Sequence, residues 1–242
     1  MQVILLRLPL TCKMQVTQEE NVMTAMVLPQ PAESQPSGRG GVRPVVAIAL
    51  AVWLVLVVAL GAAGAFVGRP GTPPLPIAIG FAGPLLVFFA LLRLSQSFRE
   101  FVLSLDLRLI AGMQAWRWAG LGFLALYAHN VLPAVFALPA GLGDMAVGLA
   151  APWIVLGLVR QPGFAARGAF IRWNVLGILD LVIAVSIGAV SAFFTTGAPG
   201  EISTAPMASL PLLLIPVFLV PLFIMLHTSA LMQSRQLRSS RA

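Results

Sequence analysis

From Pro44 to Gly68 the chain carries no ionisable side chain, and apolar stretches of similar length return five more times before the C-terminus. Backbone N–H and C=O groups in hydrocarbon must be satisfied within the segment itself. A run of this kind is therefore helical if it meets lipid. A helix rising 1.5 Å per residue crosses a core of about 30 Å in about 20 residues. Six windows meet that length: Val45–Val67, Leu75–Leu94, Trp118–Leu138, Pro139–Val159, Phe170–Phe194 and Leu210–Met232. None alternates as a barrel strand does. The expected fold is all-α: a polytopic membrane helix bundle with six transmembrane helices.

Composition supports this. Hydrophobic residues make up 59% of the chain and charged residues 10%, and the mean hydropathy is +0.94. A soluble domain carries about 25% charged residues, so this chain is apolar toward its solvent as well as its interior. The net charge of +7 is dispersed in short clusters between apolar runs rather than gathered with aromatics. That pattern belongs to membrane loops and excludes nucleic acid as the expected partner. Lys13 stands against fourteen arginines, which with abundant Ala and Gly suggests a GC-rich bacterial genome. Cys12 is the sole cysteine, so no intramolecular disulfide forms.

The N-terminal "MQVILLRLPLTCK" is interrupted by Arg7 and Pro9 and lacks the unbroken core of a signal peptide. "PQPAESQPSGRGGVRP" is rich in Pro, Ser and Gly, so residues 1–43 read as a disordered cytoplasmic tail, with Met1, Met23 or Met26 as the start. Residues 44–232 form the transmembrane domain and 233–242 a basic cytoplasmic tail. With six spans, every basic residue except Arg69 falls on the cytoplasmic side, Arg117 included. The positive-inside rule then places both termini in the cytoplasm of a bacterial inner membrane. Between the second and third windows, Phe98, Phe101, Val102, Leu105, Leu109, Met113 and Trp116 recur at helical spacing. This predicts an interfacial amphipathic helix over about 97–116, its arginines facing lipid headgroups.

Small residues mark close helix contacts: Gly61, Gly64 and Gly68 in the first window, Gly141 and Gly148 with Pro152 in the fourth, Gly177, Ala184 and Gly188 in the fifth. Pro211, Pro216 and Pro221 should bend or break the sixth.

Polar residues at membrane depth are functional candidates by default, because each costs free energy unless paired or wetted. These are His129 (with Asn130 beside it), Asp144, Asn174, Asp180 and His227. His129 lies roughly 18 Å above the inner boundary and Asp144 roughly 8 Å below the outer one, so a His129–Asp144 pair is expected across two antiparallel neighbours. Asp144 as a helix cap is the structural alternative. Asp180 falls near the midplane, Asn174 reads as a headgroup anchor, and His227 falls close to the cytoplasmic boundary.

"LPAGLGDMAVGLAAPW" and "RWNVLGILDLVIA" together resemble a family of uncharacterised bacterial integral membrane proteins over about residues 80–235. The resemblance implies no activity, and it makes Asp144, Trp173, Asn174 and Asp180 the residues to test. "GLGD", Gly141 to Asp144, resembles the GxGD motif of intramembrane aspartyl proteases, which implies a second carboxylate at Asp180. Here Asp180 follows the motif rather than preceding it, and the Pro-Ala-Leu motif is absent. Bis-histidine haem ligation needs two histidines at one depth, which His129 and His227 do not offer, so no cofactor is expected. The expected function is proton- or cation-linked transport or binding of a small solute. A structural or accessory subunit is the second reading, and an aspartyl protease the third. The bilayer is the expected partner, with a homodimer or partner subunit completing a pathway.

Overall fold

The computed structural model describes residues 42–239, all of whose regular elements are helical. The expected tail over 1–43 lies outside the described residues, except that Val42 and Arg43 already belong to the first helix. Five helices are long and apolar enough to cross a membrane: Val42–Ala62, Leu75–Leu94, Ala134–Arg160, Gly168–Phe193 and Ile215–Ser239. The first two are α1 and α2, and each buries a single residue, Val57 and Phe88 respectively. Val45, Ile48, Val52, Ile79 and Leu86 are all more than 60% exposed. Apolar surface on that scale requires an apolar surround, which is compatible with a bilayer.

The expected helix over 97–116 is divided. The Ser95 hydroxyl accepts a hydrogen bond from Phe98 N and starts α3 (Gln96–Leu103), which ends at Ser104. The Asp106 carboxylate accepts from Arg108 N at 2.8 Å and starts α4 (Leu107–Met113). Two good N-cap residues eleven positions apart make two helices where periodicity alone suggests one. α4 runs on through a 3₁₀ segment, Gln114–Gly120, into α5 (Leu121–Ala128).

The third window departs from its expected form. The chain leaves α5 at His129, Asn130 takes a left-handed φ of 57°, and Pro133 lacks the N–H that would continue a helix. α6 therefore begins at Ala134 and runs to Arg160, absorbing residues assigned from sequence to the preceding span. Gly120 and Asp144 touch, and Gly148 lies against Arg117 and Trp118. The 107–128 run and α6 are thus antiparallel neighbours with interlocked backbones.

α7 (Gly168–Phe193) returns beside α6. The last helix is irregular where Pro211 and Pro216 fall, and Pro221 lies in the first turn of the regular helix that follows. A 3₁₀ turn at Ala205–Ala208 and a π-helical turn at Ile215–Leu219 precede α8 (Val220–Ser239). A proline removes one backbone donor and crowds the preceding turn, so regular α-geometry is lost there. α8 continues through residues 233–239, the expected tail. Gln233 donates to Val102 O and Leu105 O at 3.1 and 3.0 Å, and Ser234 Oγ to Ala165 O at 2.6 Å.

At the opposite end of the bundle, the Glu201 carboxylate closes the segment after α7. It accepts bonds from Thr196 N, Thr196 Oγ1, Gly197 N and Ala198 N, between 2.7 and 3.2 Å for Oε2. The backbone bond from Thr196 leads in holding its pKa below the usual glutamate range. A depressed carboxylate stabilises the loop above its ordinary pKa, and that contribution is lost as pH falls through the depressed value. Hydrogen exchange at Thr196–Ala198, corrected for intrinsic rates, should show protection at neutral pH that acid removes. Glu201→Gln should expose these amides at every pH.

Candidate functional site

Arg117 is buried among the helices. It sits in the 3₁₀ segment between α4 and α5, with its side chain 1% exposed. Its guanidinium Nε donates to Asp144 Oδ1 at 2.7 Å, and its Nη2 donates to Asp180 Oδ2. Its Nη1 reaches Gly177 O at 3.2 Å and His227 Nε2 at 3.3 Å. Asp144, Asp180 and His227 lie well inside α6, α7 and α8, far from the helix ends. One cation thus joins four helical segments.

The hydrogen-bond direction around His227 follows from donor chemistry. A guanidinium has donors only, so Nε2 must accept and the ring proton must sit on Nδ1. Nδ1 then donates to Asn174 Oδ1 at 2.9 Å, and Asn174 Nδ2 donates to Phe170 O at 2.9 Å. Every polar atom in this chain has a complementary partner, which fixes the neutral Nδ1–H tautomer. Trp173 packs edge-on against the imidazole, with centroids 5.3 Å apart, and its Nε1 donates to Val147 O at 3.2 Å.

Glycines make the space. A Cβ at Gly177 would strike the His227 ring, and one at Gly143 would strike the Asp180 carboxylate. A Cβ at Gly120 would stand 2.6 Å from Asp144 Cβ and 2.8 Å from Gly141 O. One at Gly141 would stand 2.9 Å from Gly120 O. The small-residue spacing visible in sequence at Gly141, Gly148 and Gly177 is therefore the seat of the arginine as well as a helix-packing device.

Several sequence-based assignments change. His129 is exposed at the end of α5 and does not meet Asp144. Because α6 starts at Ala134, Asp144 lies about 15 Å into it and faces Gly120. The same start removes the capping role for Asp144. His227 lies midway along its helix rather than near a boundary, and Asn174 is fully buried beside it rather than anchored at a headgroup. Asp144, Asp180 and His227, placed from sequence at different depths, all meet Arg117 and form one cluster. Arg117, counted in the sequence among the loop arginines and not among the candidate polar residues, is buried between the two aspartates. Gln114, one turn away, was also overlooked: it is fully buried and its amide has no hydrogen-bond partner among the described residues.

Asp144 also faces open space. A cavity of about 210 Å3 reaches from the end of the bundle near Arg69, Pro70 and Thr195 down to Asp144. A smaller one of about 80 Å3 touches Arg117 and Asp144 from the side of Trp116 and Phe223. No group of three or more His, Cys, Asp and Glu suited to a metal occurs among the described residues. The guanidinium takes both aspartates, each on its own N–H. The proton-sharing carboxylate pair of an aspartyl protease requires the two acids to face each other.

The fold and site define a class: a helical bundle with helices of membrane-crossing length and an ion-paired polar centre. The chain belongs to the family described as Domain of unknown function (DUF8737), which it matches over residues 74–235. No curated protein and no solved structure matches it. The matched region begins just ahead of α2 and contains all of the Arg117 cluster.

Proposed function

We propose that this chain is a multi-pass protein of the bacterial inner membrane that binds a small solute at its central carboxylates and couples that binding to a proton or small cation. The observation that carries the reading is the double role of Asp144, which is paired to Arg117 and also forms the floor of the 210 Å3 cavity. Two carboxylates meet one guanidinium and a neutral imidazole, so the formal charge is one negative in excess. An uncompensated charge at membrane depth is costly. Uptake of a proton or cation, or of a charged solute, removes that cost and links solute to ion.

The proposed threading has six crossings, with the 107–128 run as the third and both termini cytoplasmic. With this threading Arg43, Arg93, Arg99, Arg108, Arg160, Arg167, Arg172, Arg235 and Arg238 fall toward one side, against Arg69 on the other. That asymmetry supports a cytoplasmic arginine-rich end.

The test is charge displacement on a solid-supported membrane carrying the reconstituted full chain, challenged with a panel of small solutes at two pH values. A pH-dependent transient that Asp180→Asn abolishes is expected. An accessory subunit is the alternative, favoured by the near-complete hydrogen bonding of the cluster. It predicts no transient with any solute, together with a co-purifying membrane partner.

A further inference from the structure

We propose that the cavity above Asp144 is a binding site for a small aromatic or branched aliphatic ammonium ion, an apolar body carrying one positive charge. The inference rests on the solute-binding reading above and deepens it by naming the ligand class.

Two independent observations point the same way. The first is the free acceptor at the floor. Asp144 Oδ1 is taken by Arg117, whereas Oδ2 has no hydrogen bond among the described residues, and Asp144 is one of the residues lining the cavity. The second is the wall. Phe66, Phe81, Phe123 and Phe136 are among the residues lining the cavity. Aromatic faces are the negative part of the ring quadrupole and attract desolvated cations within about 6 Å of the centroid. Phenylalanine rings offer an anion no hydrogen-bond donor. An acidic acceptor below an aromatic wall is therefore complementary to an ammonium group with an apolar body.

Size and charge narrow the class. About 210 Å3 exceeds the roughly 150 Å3 of an engineered apolar cavity that binds benzene, so a one-ring ligand fits. The cavity's other ionisable residue, Arg69, is exposed at its mouth. An anionic amphiphile would place its charge there and its tail toward Asp144, which is the principal competing occupant.

Three isosteric probes separate these cases: benzylamine, a cation at neutral pH, benzyl alcohol and benzoate. Equilibrium binding to the purified full chain in detergent should favour benzylammonium over benzyl alcohol by at least tenfold, with benzoate weakest. Asp144→Asn should erase that preference, leaving the amine and the alcohol alike. Ala189→Phe fills the cavity from α7 without touching the ion cluster. It should reduce binding of both by tenfold or more, and it serves if Asp144→Asn fails to fold. Benzylammonium binding no better than benzyl alcohol, or unchanged in Ala189→Phe, overturns the proposal. So does preferred binding of benzoate that Arg69→Gln removes. If the cation preference fails while the pH-dependent charge displacement survives, the ligand class is wrong and the ion-linked reading stands. Loss of both removes the reading beneath it.

Discussion

Arg117→Met should destabilise the purified chain by about 3–5 kcal/mol, the usual cost of removing one partner from a buried ion pair. The variant leaves Asp144 and Asp180 without their cation and deprives Gly177 O and His227 Nε2 of a donor. The loss comes from stranded charge rather than missing volume, since methionine fills much of the same space. Removing the stranded charge should therefore restore stability. The triple variant Arg117→Met, Asp144→Asn, Asp180→Asn should recover most of it, and thermal or denaturant unfolding in detergent measures both. Groups that share one network do not add, so the triple variant should lie well above the sum of the single losses. A loss below about 1 kcal/mol for Arg117→Met would be that of an exposed pair and would contradict the buried cluster.

Gly148→Ala should be strongly destabilising. The new Cβ would strike Trp118 N and would lie 2.9 Å from Arg117 C and 3.2 Å from Trp118 Cα. These are backbone atoms, which cannot rotate aside as a side chain does, so α6 must move away from the 3₁₀ segment. Overpacking of this kind costs about 1–3 kcal/mol or more, and here it also draws Asp144 away from Arg117. Gly122 in α5 provides the control, because a Cβ there meets nothing within 4 Å. Gly122→Ala should leave stability unchanged or raise it by about 0.5–1 kcal/mol, the ordinary advantage of alanine in a helix. Opposite signs at two helical glycines would separate close approach from propensity.

Much of this architecture is legible in the sequence because hydropathy and helix length are local properties. The windows at Leu75 and Phe170 match helices to within two residues, whereas those at Val45 and Leu210 are displaced by up to five and seven residues. The boundary between the third and fourth windows was not legible, since both sides of Pro133 are apolar and only the left-handed turn at Asn130 marks the break. Two consequences follow from that shift: His129 stays outside and Asp144 moves to the level of Gly120.

Arg117 was missed for a different reason. Positive-inside counting treats each arginine as a loop residue, and Trp116 and Trp118 resemble an interfacial pair. Yet the sequence held a signal. Asp144 and Asp180 both lie in apolar windows with no cation assigned to them, and Arg117 is flanked by Ile110–Trp116 and Trp118–Ala128, which contain no charge. Charge balance at membrane depth points to it where hydropathy does not.

The depth of residue 118 tests the central claim most directly, because Trp118 adjoins Arg117, is 50% exposed and makes no bond in the cluster. A nitroxide on Trp118→Cys, in a Cys12→Ser background and in lipid vesicles, reports its depth by power saturation with oxygen against a water-soluble relaxant. A label near the bilayer centre, rich in oxygen contact and shielded from the relaxant, is the predicted result. A label at headgroup depth would return Arg117 to the membrane surface and contradict the ion-paired centre.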